Sequence, residues 1–432
     1  MKPHIKLTLK KDIASRRIPY WKDVALGKAD APSHIHPDVD RWVEQYSLPV
    51  RVTREYQPAG KSWDRDELAS GFNRVYRLIL QQNTDIPNDL MEHISLVPDV
   101  EAATLGKVAT ADLPPVTARA LTLETDVRSR QAIHLDQAHD YSKGEAEITV
   151  AVLDTGIDLG HPELVEALLP GYDFVDIIDG AGKFVGDYLG YDEDPEDEVG
   201  HGTHVAGIIA AQGLDMPVGV VPRCKILPVR VLGAMKRGSK KVGAGLVDNI
   251  NSGIKWAIDQ GADVINMSLG IQHSGGGLPH EEVVDYARRK GVSIVAASGN
   301  DGQEQLYYPG ALPHVIAVGA LDESGEIASF STYGKQVDFA APGTDIYSTY
   351  IGNDYGFSTG TSHASPFVAG AIALLKSYAL QKHDMKLSDQ QVKHLLKHTA
   401  DKLDKRFKHP KAGFGKLNLL DALRLLDHKL AA

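Results

Sequence analysis

The stretch Gly360-Thr361-Ser362-His363-Ala364-Ser365-Pro366 places a serine where a predicted helix begins. The apolar run from Phe367 to Leu375 follows it and predicts that helix. Backbone N–H groups at a helix N-terminus lie at the positive end of the helix dipole and stabilise negative charge. Ser362 is therefore either a helix N-cap or a nucleophile whose attack creates an oxyanion beside those N–H groups. The second interpretation requires a base and a carboxylate elsewhere, because serine alone is a weak nucleophile.

Asp154 and His201 are the candidates for that carboxylate and that base. Asp154 ends the apolar, β-branched run Ile148–Leu153, which predicts a buried strand. A carboxylate in such a place needs a hydrogen-bond donor, and a histidine N–H would serve and would fix the ring tautomer. His201 opens a helical run between Gly200 and Gly202, which let another backbone segment approach closely. The alternatives are an aspartate that caps a local turn and a histidine that belongs to the core.

Asn300 is the candidate for a second donor to an oxyanion. It follows the predicted strand Val292–Ala297 and the pair Ser298-Gly299. Its side-chain amide can donate, together with the N–H of Ser362, to the charge that develops on a substrate carbonyl. The alternative is an asparagine in a left-handed turn, Asn300-Asp301-Gly302.

Alternating strands and helices from about residue 125 predict an α/β fold, a mostly parallel sheet with helices on both faces. In such sheets ligands bind at the carboxyl ends of the strands. Asp154, Ser268 and Asn300 each follow a predicted strand, so we expect one polar site at that edge. The other predicted elements are strands Lys225–Leu232, Asp263–Met267 and His314–Val318, and helices His201–Ala211, Gly245–Asp259, Glu281–Lys290, Thr361–Leu380 and Ser388–Thr399.

Residues 1 to about 120 differ from the rest in being rich in charge and poor in glycine. The pattern predicts a strand over Leu48–Thr53, a helix over Arg65–Leu80 and a second helix over Asn88–Glu101. Leu113-Pro114-Pro115 opens a predicted linker. This region carries no constellation of chemical groups.

The composition of the chain argues against several functional classes. Of its 432 residues, 43% are hydrophobic and 24% are charged, as in an ordinary globular protein. A net charge of −11 argues against binding of nucleic acid, and the lack of a run of about 18 apolar residues argues against a membrane span. The single cysteine, Cys224, excludes an internal disulfide and is predicted to be a buried thiol. With no apolar segment near the start, a cytoplasmic location is expected.

Four segments together resemble the subtilisin-like serine proteases, or subtilases: Asp154-Thr155-Gly156, His201-Gly202-Thr203-His204, Ser298-Gly299-Asn300 and Gly360-Thr361-Ser362. Their order, Asp then His then Ser, is that of the subtilisins. The resemblance extends from about residue 148 to residue 418. It implies a three-layer subtilisin-like domain that hydrolyses peptide bonds of polypeptides through an acyl-enzyme.

The resemblance implies a role for each matching residue. Ser362 would attack the scissile carbonyl, His201 would transfer protons, and Asp154 would orient His201. Asn300 would donate to the oxyanion. The implied substrate-binding residues are Ser268, Leu269 and Gly270 for the substrate backbone, Ala297, Ser298 and Gly299 for one wall of the pocket before the scissile bond, and Ile250 with Leu269 for a more distant apolar pocket. A preference for apolar substrate side chains and a cis bond before Pro309 are expected.

Some positions depart from the family pattern. His363 and Ser365 stand where methionine and threonine are usual, and Glu163 stands where a calcium-binding aspartate is usual. The loop Gln212–Val218 lacks the asparagines that bind calcium in secreted members, which argues against the strong site of that group.

A different Ca²⁺ site is predicted in the acidic loop before His201, because hard cations need several oxygen ligands from a flexible segment. The alternative is a solvated acidic run. The candidate ligands are Asp187, Asp192, Asp194 and Asp197.

The N-terminal third resembles, by its position, the prodomain with which subtilases are made. We expect residues 1–122 to form a smaller α+β domain that blocks the cleft as an intramolecular inhibitor and is removed by self-processing. Residues 123–432 would be the catalytic domain. A permanent regulatory or partner-binding domain is the alternative. For the whole chain, the alternatives to hydrolysis are a transpeptidase or peptide cyclase on the same fold and a catalytically silent binding module.

Overall fold

The computed structural model describes residues 3–13, 17–117, 128–175, 193–237, 240–272 and 278–431. Two folded parts are present, an N-terminal unit (residues 3–105) and an α/β unit (residues 128–431). The domain boundary predicted at residue 122 lies outside the described residues. Within those residues, no helix is both long and apolar enough to cross a membrane.

The N-terminal unit is a four-stranded antiparallel sheet in the order β2-β3-β1-β4 with helices packed on it. Apolar residues from both layers, such as Leu7, Val39, Leu78 and Ile94, form its buried core. Its elements are β1 His4–Leu9, α1 Trp21–Ala25, α2 Pro37–Gln45, β2 Val50–Arg54, α3 Arg65–Ala69, a 3₁₀ turn Phe72–Arg74, β3 Val75–Leu80, α4 Asn88–Ser95 and β4 Val100–Leu105.

The helix predicted over Arg65–Leu80 is wrong, because Gly71 (φ 75°) separates a short helix from strand β3. The strand is buried on both faces. Val75 packs toward the α/β unit, whereas Tyr76 and Leu78 face the core of the N-terminal unit. A strand that is covered on both faces lacks the usual alternation of apolar and polar residues. The spacing of its apolar residues therefore matched a helical pattern. The helix predicted over Asn88–Glu101 likewise ends at Ser95, and β4 follows it.

The α/β unit is built on a seven-stranded sheet in the order β16-β15-β13-β11-β6-β8-β7, whose paired strands are all parallel. Its strands are β6 Thr149–Asp154, β7 Tyr172–Asp173, β8 Lys225–Arg230, β11 Val264–Met267, β13 Ser293–Ala297, β15 Val315–Leu321 and β16 Val337–Pro342. Helices cover both faces. Along β6, Val150 and Val152 face one apolar cluster while Ala151 and Leu153 face the other. The predicted α/β class with a mostly parallel sheet is confirmed.

Further elements surround this sheet. Helices α6 and α9 pack on one face, and α7 and α8 pack on the other. The helices are α5 Leu135–His139, α6 His201–Ala210, α7 Val247–Asp259, α8 Glu281–Lys290, α9 Thr361–His383, α10 Asp389–Thr399 and α11 Leu419–Ala431. The smaller strands are β5 Val108–Asp112, β9 Gly233–Arg237, β10 Lys240–Leu246, β12 Ile271–Gln272, β14 Tyr307–Tyr308, β17 Ile346–Tyr350 and β18 Asp354–Ser358.

Candidate functional site

Three neighbouring strands of the sheet, β6, β11 and β13, end at one edge and carry polar residues there. Asp154 is the last residue of β6, and Ser268 follows β11 directly. Asn300 lies three residues beyond β13. Helices α6 and α9 begin at the same edge with His201 and Thr361.

Asp154 and His201 form a buried hydrogen bond. The Nδ1 atom of His201 lies 2.6 Å from Oδ1 of Asp154, and the two side chains are only 3% and 0% exposed. The start of α6 lies close to the end of β6 because residue 202 is a glycine. A Cβ added to Gly202 would lie 2.1 Å from the carbonyl oxygen of Gly156. Burial alone would lower the pKa of His201, but the Asp154 carboxylate raises it above its ordinary value.

Ser362 is the second residue of α9 and is nearly buried. Its Oγ donates to the backbone carbonyl of Ser268 at 3.1 Å. The Nε2 atom of His201 has no hydrogen-bond partner within the described part of the chain. The Ser362–His201 hydrogen bond is therefore not formed in this conformation, as is common in structures without substrate.

Asn300 is held against the start of α9. Its Oδ1 accepts hydrogen bonds from both the backbone N–H and the Oγ1 hydroxyl of Thr361, each at 2.9 Å. The side-chain oxygen is thus occupied, and the amide NH₂ is the group left to donate. Asn300 and Ser362 line the same cavity, whose volume is about 720 Å³.

The predicted substrate-binding residues divide into two groups. Ser268, Leu269, Gly270, Ala297 and Gly299 line the cavity. Two further residues support it from behind: the Ser298 hydroxyl donates to the Thr332 carbonyl at 2.8 Å, and Ile250 is fully buried in the apolar cluster that contains Leu269. The cis peptide bond expected before Pro309 is present.

Residues 108–117, here called the cleft segment, run through this site. Strand β5 within it pairs antiparallel with β10, for example Ala111 with Gly243. Beyond β5, the Pro114 ring lies against Gly360, where an added Cβ would be 2.9 Å away. Thr117 then exchanges two backbone hydrogen bonds with Phe357, at 2.8 and 3.0 Å.

The predicted linker opens only at Leu113, and no element was predicted over residues 108–112, so the pairing of β5 was missed. The β-branched residues Val108 and Thr110, alternating with alanines, are the signal that would have indicated a strand. Its partner β10 was also missed. The helix predicted from Gly245 overlaps the end of this strand, whereas helix α7 begins at Val247.

The predicted calcium ligands are only partly described. Asp187 and Asp192 lie outside the described residues. Asp194 is exposed, and its Oδ1 accepts from the Glu196 N–H at 3.2 Å. The buried Asp197 carboxylate holds the start of α6, with contacts of 2.7–2.9 Å from Thr155 Oγ1, Val199 N, Gly200 N, Thr203 N and Thr203 Oγ1.

No group of three or more His, Cys, Asp or Glu side chains among the described residues is arranged to hold a metal ion. The calcium site therefore stays a prediction.

The buried Glu163 carboxylate lies inside a ring of backbone donors that sequence reasoning did not foresee. It accepts from the N–H groups of Gly213, Leu214, Asp215 and Met216 at 2.7–3.2 Å. Donors turned inward suit a carboxylate and repel a cation. This is the loop in which the family resemblance pointed to missing calcium ligands.

His363, which departs from the family pattern, is fully buried in α9 beside two other histidines. Its ring centre lies 4.5 Å from that of His204 and 5.6 Å from that of His201. The Nε2 atom of His204 lies 3.1 Å from the Gly356 carbonyl oxygen, which ties α6 to strand β18. Burial lowers the pKa of His204 to about 3 and that of His363 well below its ordinary value.

A buried carboxylate–histidine pair beside a serine at a helix N-terminus, with an amide donor nearby, defines the class of serine hydrolases. The model of the Subtilase family, Peptidase_S8, matches residues 145–416. The chain therefore belongs to the subtilase family, as the four motifs predicted, and is a serine-type endopeptidase.

Several curated proteins are similar to this chain. The "Thermophilic serine proteinase" of Bacillus sp. (strain AK1) is 40% identical over 295 residues, which cover 68% of this chain and 66% of the relative. The "Major intracellular serine protease" of Bacillus subtilis (strain 168) is 41% identical over 251 residues, 57% of this chain and 73% of the relative. The chain thus spans about two thirds of the length of the first and somewhat more of the second.

A solved structure described as "Structure of Prenylagaramide maturation protease PagA" has the same fold. It aligns with a TM-score of 0.55 at 32% identity, covering 68% of this chain and 98% of that chain.

Proposed function

We propose that this chain hydrolyses polypeptides through an acyl-enzyme formed on Ser362, and that it is made as a zymogen. The observation that carries the catalytic proposal is the 2.6 Å contact between Asp154 and His201, whose ring lies 5.6 Å from that of His363, the residue after Ser362. The observation that carries the zymogen proposal is the cleft segment paired with β10.

The proposed mechanism begins with rotation of the Ser362 side chain away from the Ser268 carbonyl toward Nε2 of His201. His201 then takes the hydroxyl proton as Oγ attacks the scissile carbonyl, and later gives that proton to the leaving amine. Because the buried Asp154 carboxylate raises the pKa of His201, it favours the imidazolium that forms at this step. Water hydrolyses the acyl-enzyme by the same route.

The oxyanion would be stabilised by the backbone N–H of Ser362 and the side-chain NH₂ of Asn300. Thr361 keeps the Asn300 oxygen turned away from the developing charge, so the amide presents its donor. Removal of one such donor typically lowers turnover by about 100- to 1000-fold. The position of Asn300 therefore supports a catalytic role rather than a turn role alone.

The substrate would bind as an added strand. The cleft segment pairs with β10 through backbone hydrogen bonds, in the manner of β-strand addition. An extended polypeptide in the same place would run past Ser362, as the cleft segment does. Folded proteins rarely offer an isolated extended segment, so flexible or unfolded polypeptides are the proposed substrates.

Inhibition by the N-terminal unit is supported by its contacts with helix α7. Glu67 of α3 pairs with Lys255 of α7 at 2.6 Å, and both side chains are buried. Arg77 of β3 donates to Oδ1 of Asn249 at 2.7 Å. The unit thereby holds the cleft segment in the position proposed for substrate.

Intact mass measured over time, with a fluorophosphonate label, tests the proposal on wild type and Ser362→Ala. Loss of about 120 residues and labelling, both in wild type only, are the expected results. Identical N-termini in the two proteins after prolonged incubation would refute self-processing. A folded, fully processed wild type that takes no label would refute the serine nucleophile.

Hydrolysis is preferred over transpeptidation or cyclisation because the curated relatives cited above are named as proteinases or proteases. The mass of products from a single peptide separates these reactions. Two fragments mean hydrolysis, whereas a ligated or cyclic product means transfer. PagA is itself described as a maturation protease.

Two further elements of the proposal rest on the sequence. Calcium in the acidic loop is tested by thermal unfolding with calcium and with a chelator, together with elemental analysis. An unchanged midpoint without bound metal would rule out the site.

A cytoplasmic location is supported by the single cysteine and by the name of one relative, an intracellular protease, and is tested by cell fractionation.

A further inference from the structure

The side chain of Tyr307 stands between two walls of the cleft. Strand β14, which contains it, pairs with β12, so that Tyr307 lies opposite Gln272. A Cβ added to Gly299 on one wall would lie 2.6 Å from Cδ2 of the Tyr307 ring. A Cβ added to Gly270 on the other wall would lie 3.1 Å from its Cβ. The ring therefore fills the space that two glycines leave open.

The position of this ring relative to a bound polypeptide follows from the cleft segment. Strand β5 lies between β10 and β12, and the chain then reaches Pro114 beside Gly360. The residues just before Pro114 thus pass Ser362 and the mouth of the gap between the walls. Asp112 lines the same cavity as Tyr307, and its charge contributes to raising the pKa of that phenol.

The ring is fixed by hydrogen bonds at its far end. The Tyr307 hydroxyl donates to the carboxylate of Asp301, and Gln272 Nε2 donates to the hydroxyl oxygen at 3.0 Å. Burial first, and then Asp301, raises the pKa of Tyr307 to about 12, so the hydroxyl stays a donor at neutral pH. A ring held at both ends does not swing aside easily to admit a large side chain.

The cleft segment itself presents small side chains to the α/β unit. Ala109 and Ala111 point to the same face of β5, and each is 6% exposed within an apolar cluster to which the α/β unit contributes most residues. A strand that binds in this groove therefore carries small side chains at every second position, on the face that points to the α/β unit.

We propose that Tyr307 restricts the residue before the scissile bond to small side chains such as glycine, alanine and serine. This inference rests on the proposed function, because it concerns the same site. It narrows the expectation of apolar substrate side chains, since leucine and phenylalanine are excluded next to the scissile bond. Tyr307 acts as a specificity-determining residue and takes no part in proton transfer.

Peptidyl diphenyl phosphonates that differ only in the residue before the phosphorus, alanine or phenylalanine, test this in the full chain. Ser362 Oγ forms a bond to phosphorus, its proton passes to His201, and phenoxide leaves. The label is irreversible and accumulates even when the cleft segment leaves the site only briefly. The variants are Tyr307→Ala and Tyr307→Phe, with Tyr355→Ala, outside the cavity lining, as the control.

Wild type, Tyr307→Phe and Tyr355→Ala should react at least about tenfold faster with the alanine probe, whereas Tyr307→Ala should lose or reverse that preference. Equal rates for the two probes in wild type, or an unchanged ratio in Tyr307→Ala, would overturn the inference. A small fluorophosphonate without a side chain is run in parallel. If it too fails to label folded wild type after full processing, the proposed function itself fails, and the inference falls with it.

Discussion

The interior of the α/β unit and its contact with the N-terminal unit are both buried, but they are built from different chemistry. Around α9 the interior is apolar, with Phe367, Ile372 and Leu374 at most 1% exposed. The contact between the units combines apolar packing, as of Phe72 on Tyr286, with buried charge, including the ion pair of Glu67 with Lys255.

The difference concerns which of the two surfaces would separate at the smaller cost in the proposed zymogen. Exposing the interior would place a large apolar area in water, which costs about 25 cal/mol for each Å². Charged groups regain hydration when they separate, so a polar contact releases its partner at a smaller cost. The buried charge is therefore the part of the interface that would favour release of the N-terminal unit, as the proposed zymogen requires.

The largest expected effect comes from opening the apolar interior. Phe367→Ala should lower the free energy of unfolding of the α/β unit by about 3–5 kcal/mol, because it leaves a cavity under the sheet. Urea unfolding measures it. Phe407→Ala, at a phenylalanine that is 54% exposed, is the matched control and should cost far less. Equal losses in the two variants would contradict the distinction.

The next effect concerns the interface alone. Lys255→Met leaves Glu67 buried without its cation, which typically costs about 3–5 kcal/mol. The N-terminal unit should then dock more weakly, so that fluorophosphonate labels the full chain at least about 100-fold faster. Because Lys255 also pairs with Asp259 within α7 at 2.6 Å, urea unfolding of the same variant measures the accompanying loss of stability in the α/β unit.

Lys290→Met is the matched control for that experiment. Lys290 also reaches α3, pairing with Asp64 at 2.6 Å, but these side chains are 29% and 43% exposed. An exposed pair contributes about 0–1 kcal/mol, so labelling should change less than about fivefold. If both lysine variants behave alike, burial of charge is not what holds the units together.

A smaller effect tests the buried charge inside the α/β unit. Glu163→Gln weakens four hydrogen bonds from residues 213–216 and should lower the free energy of unfolding by about 1–3 kcal/mol. The loss should be the same in calcium and in chelator. The exposed Glu166→Gln is the control. A loss that calcium reverses would mean that the loop binds a cation after all.

The smallest expected effect is a pH slope. Burial depresses the pKa of His363, so the unfolded chain binds more protons than the folded chain below about pH 6.5. The free energy of unfolding therefore falls with acidification, by at most about 1.4 kcal/mol per pH unit for one such group. His363→Met should make this slope shallower between pH 6.5 and 4.5. An identical slope would show that His363 is not neutral in the fold, or that its neighbours His201 and His204 carry the effect.

Much of the α/β unit could be predicted because its signals are local. The helix Glu281–Lys290 was predicted to the residue, and the apolar runs at Ile148 and Val292 correspond to β6 and β13 within one residue at each end. The N-terminal unit was harder, since β3 is covered on both faces by two different cores. Its periodicity reflected tertiary packing, which no local pattern reveals.

The candidate site divides in the same way. The ends of β6, β11 and β13 bring Asp154, Ser268 and Asn300 to one edge of the sheet, as the sequence predicts. The sequence does not reveal the orientation of a side chain. The hydrogen bond from the Ser362 hydroxyl to the Ser268 carbonyl was therefore not predicted. Tyr307 was missed because only the assembled walls show that it lies between two glycines.

The cleft segment and the groove that it occupies belong to one chain, which makes their association independent of dilution. A short tether corresponds to an effective concentration in the millimolar range. Once the backbone between the units is cut, the same contacts compete with bulk solvent at the actual protein concentration. A single cleavage thus converts a first-order equilibrium into a second-order one. The total enzyme concentration then sets the fraction of molecules in which the cleft segment still occupies the groove.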